Sequence, residues 1–244
     1  MKIDLNLCFP QLKEFIFHEE TIKNASICTV YNYYRDLILF FKYIKSIKKE
    51  TNTNDKIENT DITDIDTKFL SSITYEEIEQ YFFYLKSVKN NNAATRKRRV
   101  ISLRNFFRFL NLTVEVIDSD PTKKLVTPKL NRSLPKFMLE EECIALLNSI
   151  DGTNKERDYC IFVLFINSGI RLSELVGLNY IDIDRQGDVV IRGKGSKERR
   201  IIFNKACLEA LAEYEKFKEI HYQNKERDRD AVFVGRTGKR LTAR

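Results

Sequence analysis

Histidine is scarce in this sequence, with only His18 and His221 among 244 residues. Five cysteines (Cys8, Cys28, Cys143, Cys160 and Cys207) are scattered without CxxC spacing, so with two histidines no zinc-type ligand set assembles by pattern. No metal site and no disulfide framework is expected; the cysteines read as buried free thiols of an intracellular protein. Long apolar runs are missing too, none approaching the roughly 18 residues a membrane helix needs. The start "MKIDLNLCFP" lacks a signal-peptide layout. The expectation is a cytoplasmic protein with no membrane partner. Proline is rare and uneven, three of the four falling in "DPTKKLVTPKLNRSLPKF", residues 120–137. Proline removes a donor and pushes its predecessor to extended geometry, so this stretch reads as an interdomain linker.

Acid is absent from Lys86 to Arg108, where eight residues are basic, whereas Glu50 to Glu79 holds nine acids against two lysines. The chain is therefore electrically segmented within an overall charge of +7, which favours an anionic partner. With 43% hydrophobic residues and 17 Phe, it has the means to build real cores.

Tyr33, Leu37, Phe40, Ile44 and Ile47 recur at helical spacing, predicting a long amphipathic helix after Thr29. A polar loop follows, then "TYEEIEQYFFYL", which opens with a capping box of Thr74 and Glu77. Thr95 is the expected cap of the next helix, in which Val100, Leu103, Phe107 and Leu110 form the buried stripe. Beyond the linker, Ile144, Leu147 and Ile150 repeat helically, and an apolar helix is expected from about Asp158 to Asn167 with Gly169 as its left-handed C-cap. The period then changes. "DVVIR" and "RRIIF" flank "GKGSKE" and predict a β-hairpin; a helix with Leu208, Leu211, Tyr214 and Phe217 on one side follows, and "AVFVG" reads as another strand. The ending "GRTGKRLTAR" offers a turn and Thr242 as a helix N-cap two residues before the last, so a truncated chain is expected.

Three groups of residues carry chemistry. On the acid-free helix, Lys97, Arg104 and Arg108 share a stripe away from the core face, with Arg98 farther round, a layout suited to duplex phosphates. In the hairpin, Arg192, Lys194, Lys197, Arg199 and Arg200 crowd nine residues against Glu198 alone, which implies an anion nearby. The stretch "GDVVIRGKG" is no P-loop: five residues separate the glycines where four are needed, and Gly195 replaces the required Ser or Thr, so no nucleotide cofactor is expected. In "NSGIRLSELVGL", Arg171 stands beside the uncharged run "YCIFVLFI". Either Glu174 neutralises it at i, i+3, or it meets an anion from outside the protein.

At these residues the sequence resembles the tyrosine recombinases, most closely the bacterial Xer-type enzymes and related phage and transposon integrases. "SGIRLSELVGLNYIDID" is similar to their first catalytic-arginine box, "GDVVIRGKGSKERRIIF" to their lysine-bearing hairpin, and "SLPKFMLEEECIALL" to the entry of their catalytic domain. The resemblance implies a mainly α fold in two domains: a helical core-binding (SAM-like) domain over 1–127, a linker over 128–137, and over 138–244 part of an α-rich catalytic domain with a small antiparallel sheet. It implies strand cleavage and rejoining through a 3′-phosphotyrosyl intermediate without ATP or metal, on double-stranded DNA and as a tetramer when complete. Arg171 and Lys194 would be catalytic; Lys97, Arg98, Arg104, Arg108, Lys197 and Arg199 would bind DNA. The family's His-x-x-Arg box and nucleophilic tyrosine find no match here: "HYQN" at His221 lacks the arginine, and Tyr222 is the least unsuitable of 11 tyrosines. The chain as given is therefore expected not to cleave DNA. The alternative is a non-catalytic DNA-binding regulator derived from a truncated recombinase; a helical interaction module with incidental basic faces is a third reading.

Overall fold

The computed structural model describes residues 2–48, 57–130, 134, 136–192, 198–222 and 227–243. They form two compact units, Met1–Ser133 and Leu134–Arg244.

The first unit is helical. Pro10 opens α1 (Pro10–Phe17), where its missing N–H is one that a helix start leaves unpaired anyway. α2 (Ile27–Lys48) begins two residues before Thr29, and the Thr29 N–H reaches the Ser26 hydroxyl at 3.4 Å. α3 (Thr67–Ser71), α4 (Tyr75–Ser87) and α5 (Ala93–Leu112) follow. The capping box of Thr74 and Glu77 starts α4 as expected. Thr95 does not cap α5: the Asn92 side chain accepts from the Thr95 N–H at 2.8 Å, so Thr95 is the donor. Asparagine ranks above threonine in this role, and the helix starts three residues earlier.

Leu37, Phe40 and Ile44 of α2 are fully buried, as are Phe107 and Leu110 of α5, with Val100 and Leu103 all but so; Tyr33 and Ile47 lie at the margin. The core is aromatic. Phe9 meets Phe41 edge-to-face with centroids 4.7 Å apart, and Phe106 meets Phe15 at 5.3 Å, pairs that contribute about 0.5–1.5 kcal/mol each beyond area burial. The acidic stretch is tied to neighbouring lysines: Lys45, buried in α2, bonds Asp64 and the Asp61 carbonyl, Lys48 pairs with Glu77 at 2.7 Å, and Lys89 with Glu58 at 3.2 Å.

The second unit contains α6 (Glu140–Asn148), α7 (Lys155–Ser168), α8 (Leu172–Gly177), the antiparallel strands β1 (Asp188–Arg192) and β2 (Glu198–Ile202), and α9 (Lys205–His221). α7 starts three residues ahead of Asp158 and ends on Gly169 at φ +60°, the left-handed cap expected. β1 and β2 pair Val189 with Ile201 and Ile191 with Arg199. α7 packs on α9. The buried face of α9 is Cys207, Ala210, Tyr214 and Lys218; Leu208, Leu211 and Phe217 are only partly covered, so the stripe is turned from the one predicted.

"AVFVG" is not a strand of the sheet. Ala231 to Val234 are all buried, but they form only isolated bridges, Asn179 with Ala231 and Val234 with Arg240. Burial on every side, rather than ladder pairing, explains their unbroken apolar character. Among the cysteines, Cys8, Cys160 and Cys207 are buried, whereas Cys143 is half-buried and Cys28 exposed, against the expectation for those two.

Candidate active site

The local sequence dictates how Arg171 is presented. Gly169 ends α7 in the left-handed region, Ile170 is buried, and the chain turns directly into α8 with Arg171 at its N-cap in extended geometry. The Arg171 N–H has no helical partner there, and Glu174, three residues into α8, reaches back to accept from it. This is the carboxylate half of a capping box, with an arginine where serine or threonine is usual.

Glu174 does more than cap. Its side chain is 5% exposed, and it accepts from the Arg171 N–H at 2.9 Å, from Arg171 Nη1 at 2.9 Å and from Arg199 Nη2 at 2.7 Å. Burial alone would raise its pKa, but the Arg199 hydrogen bond and the two from Arg171 outweigh it and bring the carboxyl down to about 2. One buried negative charge thus serves two guanidiniums, leaving a local charge of +1. The Arg171 side chain is 70% exposed and that of Arg199 41% exposed, so both keep N–H donors facing outward. Of the two possibilities for Arg171, the ion pair with Glu174 is present, and it leaves the arginine side chain largely exposed. Such a fork suits two oxygens of a phosphate.

A second set of contacts fixes the far end of α8. Arg240 Nη1 lies 3.3 Å from the carbonyls of Val176 and Leu178, and its Nη2 donates to Asn179 Oδ1 at 2.6 Å. The Val232 N–H donates to the Leu178 carbonyl at 3.0 Å. Beneath this, Lys218 is 2% exposed, donates to the Val232 carbonyl at 3.2 Å and lies 4.4 Å from the Tyr180 ring centroid; burial lowers its pKa. Neither Arg240 nor Lys218 was legible as part of the site, since both act through contacts distant in sequence.

Lys194, Lys197 and the side chain of Arg192 lie outside the described residues. Arg200 is exposed on β2. In the first unit, Arg108 is exposed and Lys97 half-buried. Arg104 is not free on the stripe: its Nη2 bonds the Leu125 carbonyl, with Thr127 at 3.4 Å. Arg98 pairs with Asp36. Tyr222 is buried and its hydroxyl donates to the Gly235 carbonyl at 2.8 Å. His221 stacks on Phe217. Among the described residues no cluster of His, Cys, Asp or Glu could hold a metal, and no helix is long and apolar enough to cross a membrane.

The chain is 36% identical over 235 residues to the tyrosine recombinase XerC of Caldanaerobacter subterraneus subsp. tengcongensis, covering 96% of this chain and 65% of the relative. Tyrosine recombinase XerC of Myxococcus xanthus is 32% identical over 240 residues, covering 96% of this chain and 73% of the relative. The chain belongs to the tyrosine recombinases. The model of the phage integrase family matches residues 136–244 of this recombinase. Among solved structures, XerH site-specific recombinase bound to palindromic difH substrate is similar with a TM-score of 0.65 at 18% identity, covering 98% of this chain and 65% of that one. A lambda integrase dimer bound to a COC′ core site gives 0.60 at 16% identity, over 95% and 59%. The recombinase chain thus spans about two thirds of the length of its first relatives.

Proposed function

We propose that this chain carries the DNA clamp and two of the catalytic side chains of a site-specific recombinase acting on double-stranded DNA by strand cleavage and rejoining. The observation that carries the reading is the buried Glu174 holding Arg171 and Arg199 with their outer N–H groups exposed. Arg171 grips a non-bridging oxygen of the scissile phosphate and stabilises the charge that builds on it as a tyrosine oxygen attacks phosphorus. Arg199, anchored on the same carboxylate, approaches the same or the adjoining phosphate. As the phosphorus to 5′-oxygen bond breaks, Lys194 gives that oxygen its proton, and the 3′-phosphotyrosyl link preserves the bond energy for rejoining. Lys97, Arg98, Arg108 and Lys197 contact the backbone of the duplex.

The attacking tyrosine and the His-x-x-Arg box find no match within residues 1–244. Tyr222, bonded to the Gly235 carbonyl, is no substitute. On this reading, residues 1–244 by themselves bind duplex without forming a covalent adduct, as a non-catalytic regulator also would. A protein joining these residues to a segment that bears the box and the tyrosine separates the two: a recombinase forms detergent-resistant adducts with a cognate duplex, and Arg171→Ala lowers their rate by about 10²–10³-fold. Adducts at an undiminished rate in Arg171→Ala would overturn the catalytic assignment, and no adducts from the intact protein would favour the regulator.

A further inference from the structure

The arrangement around Glu174 has a counterpart in the first unit. Asp36 of α2 is 2% exposed and lies beneath the basic face of α5. Arg98 Nη1 donates to its Oδ2 at 2.5 Å, the Ser102 hydroxyl donates to the same oxygen at 2.7 Å, and Arg99 Nε lies 3.6 Å from Oδ1. The two arginines differ in what they have left. Arg99 is 14% exposed and its Nη1 donates to the Tyr81 hydroxyl at 3.0 Å, so it faces inward. Arg98 pairs with Asp36 through Nη1 and is 41% exposed, so part of its side chain reaches solvent.

An acid under a basic helix is unfavourable for binding a polyanion on Coulomb grounds alone. It is not an obvious aid to the fold either: burial pushes the Asp36 carboxyl above its ordinary range, ahead of the opposing pulls of Ser102, Arg98 and Arg99. What the carboxylate supplies is geometry. A solvated arginine loses about 2 kcal/mol of rotamer freedom when it is immobilised on a ligand. One already held at its inner edge has lost much of that on folding and presents its outer edge in a fixed direction. Lys97 and Arg108 are given no such anchor among the described residues.

We infer that Asp36 is a positioning residue for DNA binding, holding Arg98 in a fixed orientation to take a backbone phosphate. The inference rests on the DNA-binding reading above. It assigns unequal weight to the basic residues of α5: Arg98 acts as a fixed phosphate clamp, Arg104 braces the chain at Leu125, and Lys97 and Arg108 add diffuse charge.

The experiment measures dissociation constants of residues 1–244 for a fluorescein-labelled duplex of arbitrary sequence over a salt series. Variants are Asp36→Asn, Arg98→Ala, Arg98→Lys and the double Asp36→Asn/Arg98→Ala, each with its melting temperature. Asp36→Asn raises the net charge by one, so a purely electrostatic account predicts tighter binding; the positioning account predicts binding about 3–10-fold weaker. Because Asp36 acts through Arg98, adding Asp36→Asn to Arg98→Ala brings no further loss. Arg98→Lys keeps the charge but loses the second edge of the guanidinium, so it weakens binding nearly as much as Arg98→Ala; this variant carries the test if Asp36→Asn fails to fold. Tighter or unchanged binding by Asp36→Asn, the same loss with and without Arg98, or a wild-type Arg98→Lys would each overturn the assignment while leaving DNA binding intact. No duplex binding by the unmodified chain would overturn both the assignment and the reading beneath it.

Discussion

At the scale of single residues, two buried carboxylates organise the arginines, and their titrations run in opposite directions. Glu174 is depressed from 4.5 to about 2, so its contribution to stability is present above pH 4.5 and is lost as pH falls towards 2. Glu174→Gln is expected to cost about 1–2 kcal/mol at neutral pH, low in the range for charge-assisted hydrogen bonds because water reaches both guanidiniums. The difference in melting temperature between the two proteins should close as the pH is lowered from 4.5 to 2; a gap that stays constant would show that Glu174 acts by packing alone. Asp36, with its carboxyl raised, has the other sign: its ionisation takes stability away as the pH rises above the ordinary carboxylate range. The pairing of Arg171 with Glu174 was legible because the two are three residues apart. Arg199 on Glu174 and Arg98 on Asp36 were not, since those pairs span 25 and 62 residues and depend on how helices and hairpin dock.

At the scale of elements, backbone exceptions place the site, and glycine makes two of them. Gly169 at φ +60° has open space where a Cβ would stand, so Gly169→Ala carries only the left-handed penalty of roughly 1–2 kcal/mol. Gly187 at φ +87° precedes β1, and a Cβ there would lie 2.4 Å from the Phe203 carbonyl oxygen. Gly187→Ala is therefore expected to destabilise the second unit clearly more than Gly169→Ala, by a thermal melt of each; equal losses would mean that the hairpin base yields without cost. Local signals predicted the elements they govern: the Thr74 and Glu77 box, the Gly169 cap, the change to period two in the hairpin. They misled where two cues competed, as with Asn92 and Thr95, or where an apolar run was read as a ladder strand. Val232 and Phe233 are buried, the backbone of Val232 bonded to Lys218 and Leu178 and the ring of Phe233 stacked on Tyr214, and composition does not distinguish that from sheet pairing.

At the scale of the whole molecule, two separate cores were foreseeable from the helical stripes on either side of the proline-rich stretch. The charge distribution was visible as well, but its reason was not. Part of the acidic run from Glu50 to Glu79 pairs internally with Lys45, Lys48 and Lys89. Such pairing removes the two signs in equal number, so the net +7 is unchanged by it and favours an anionic partner. Duplex binding is expected to weaken with salt, the logarithm of affinity falling by about 0.9 per phosphate neutralised for each decade of salt. Arg98→Ala should lower that slope by about one such unit, whereas substitutions among the internally paired acids should leave it unchanged. Affinity indifferent to salt would sink the nucleic-acid reading altogether.

The clasp formed by Arg240 reaches back 64 residues to the carbonyl of Val176. On a ribosome moving at about 5–20 residues per second, the peptide carrying Arg171 is made some 3–14 s before the arginine that secures its helix exists. During that interval a nascent chain already bears Arg171 and has yet to acquire the arginine that holds the far end of α8.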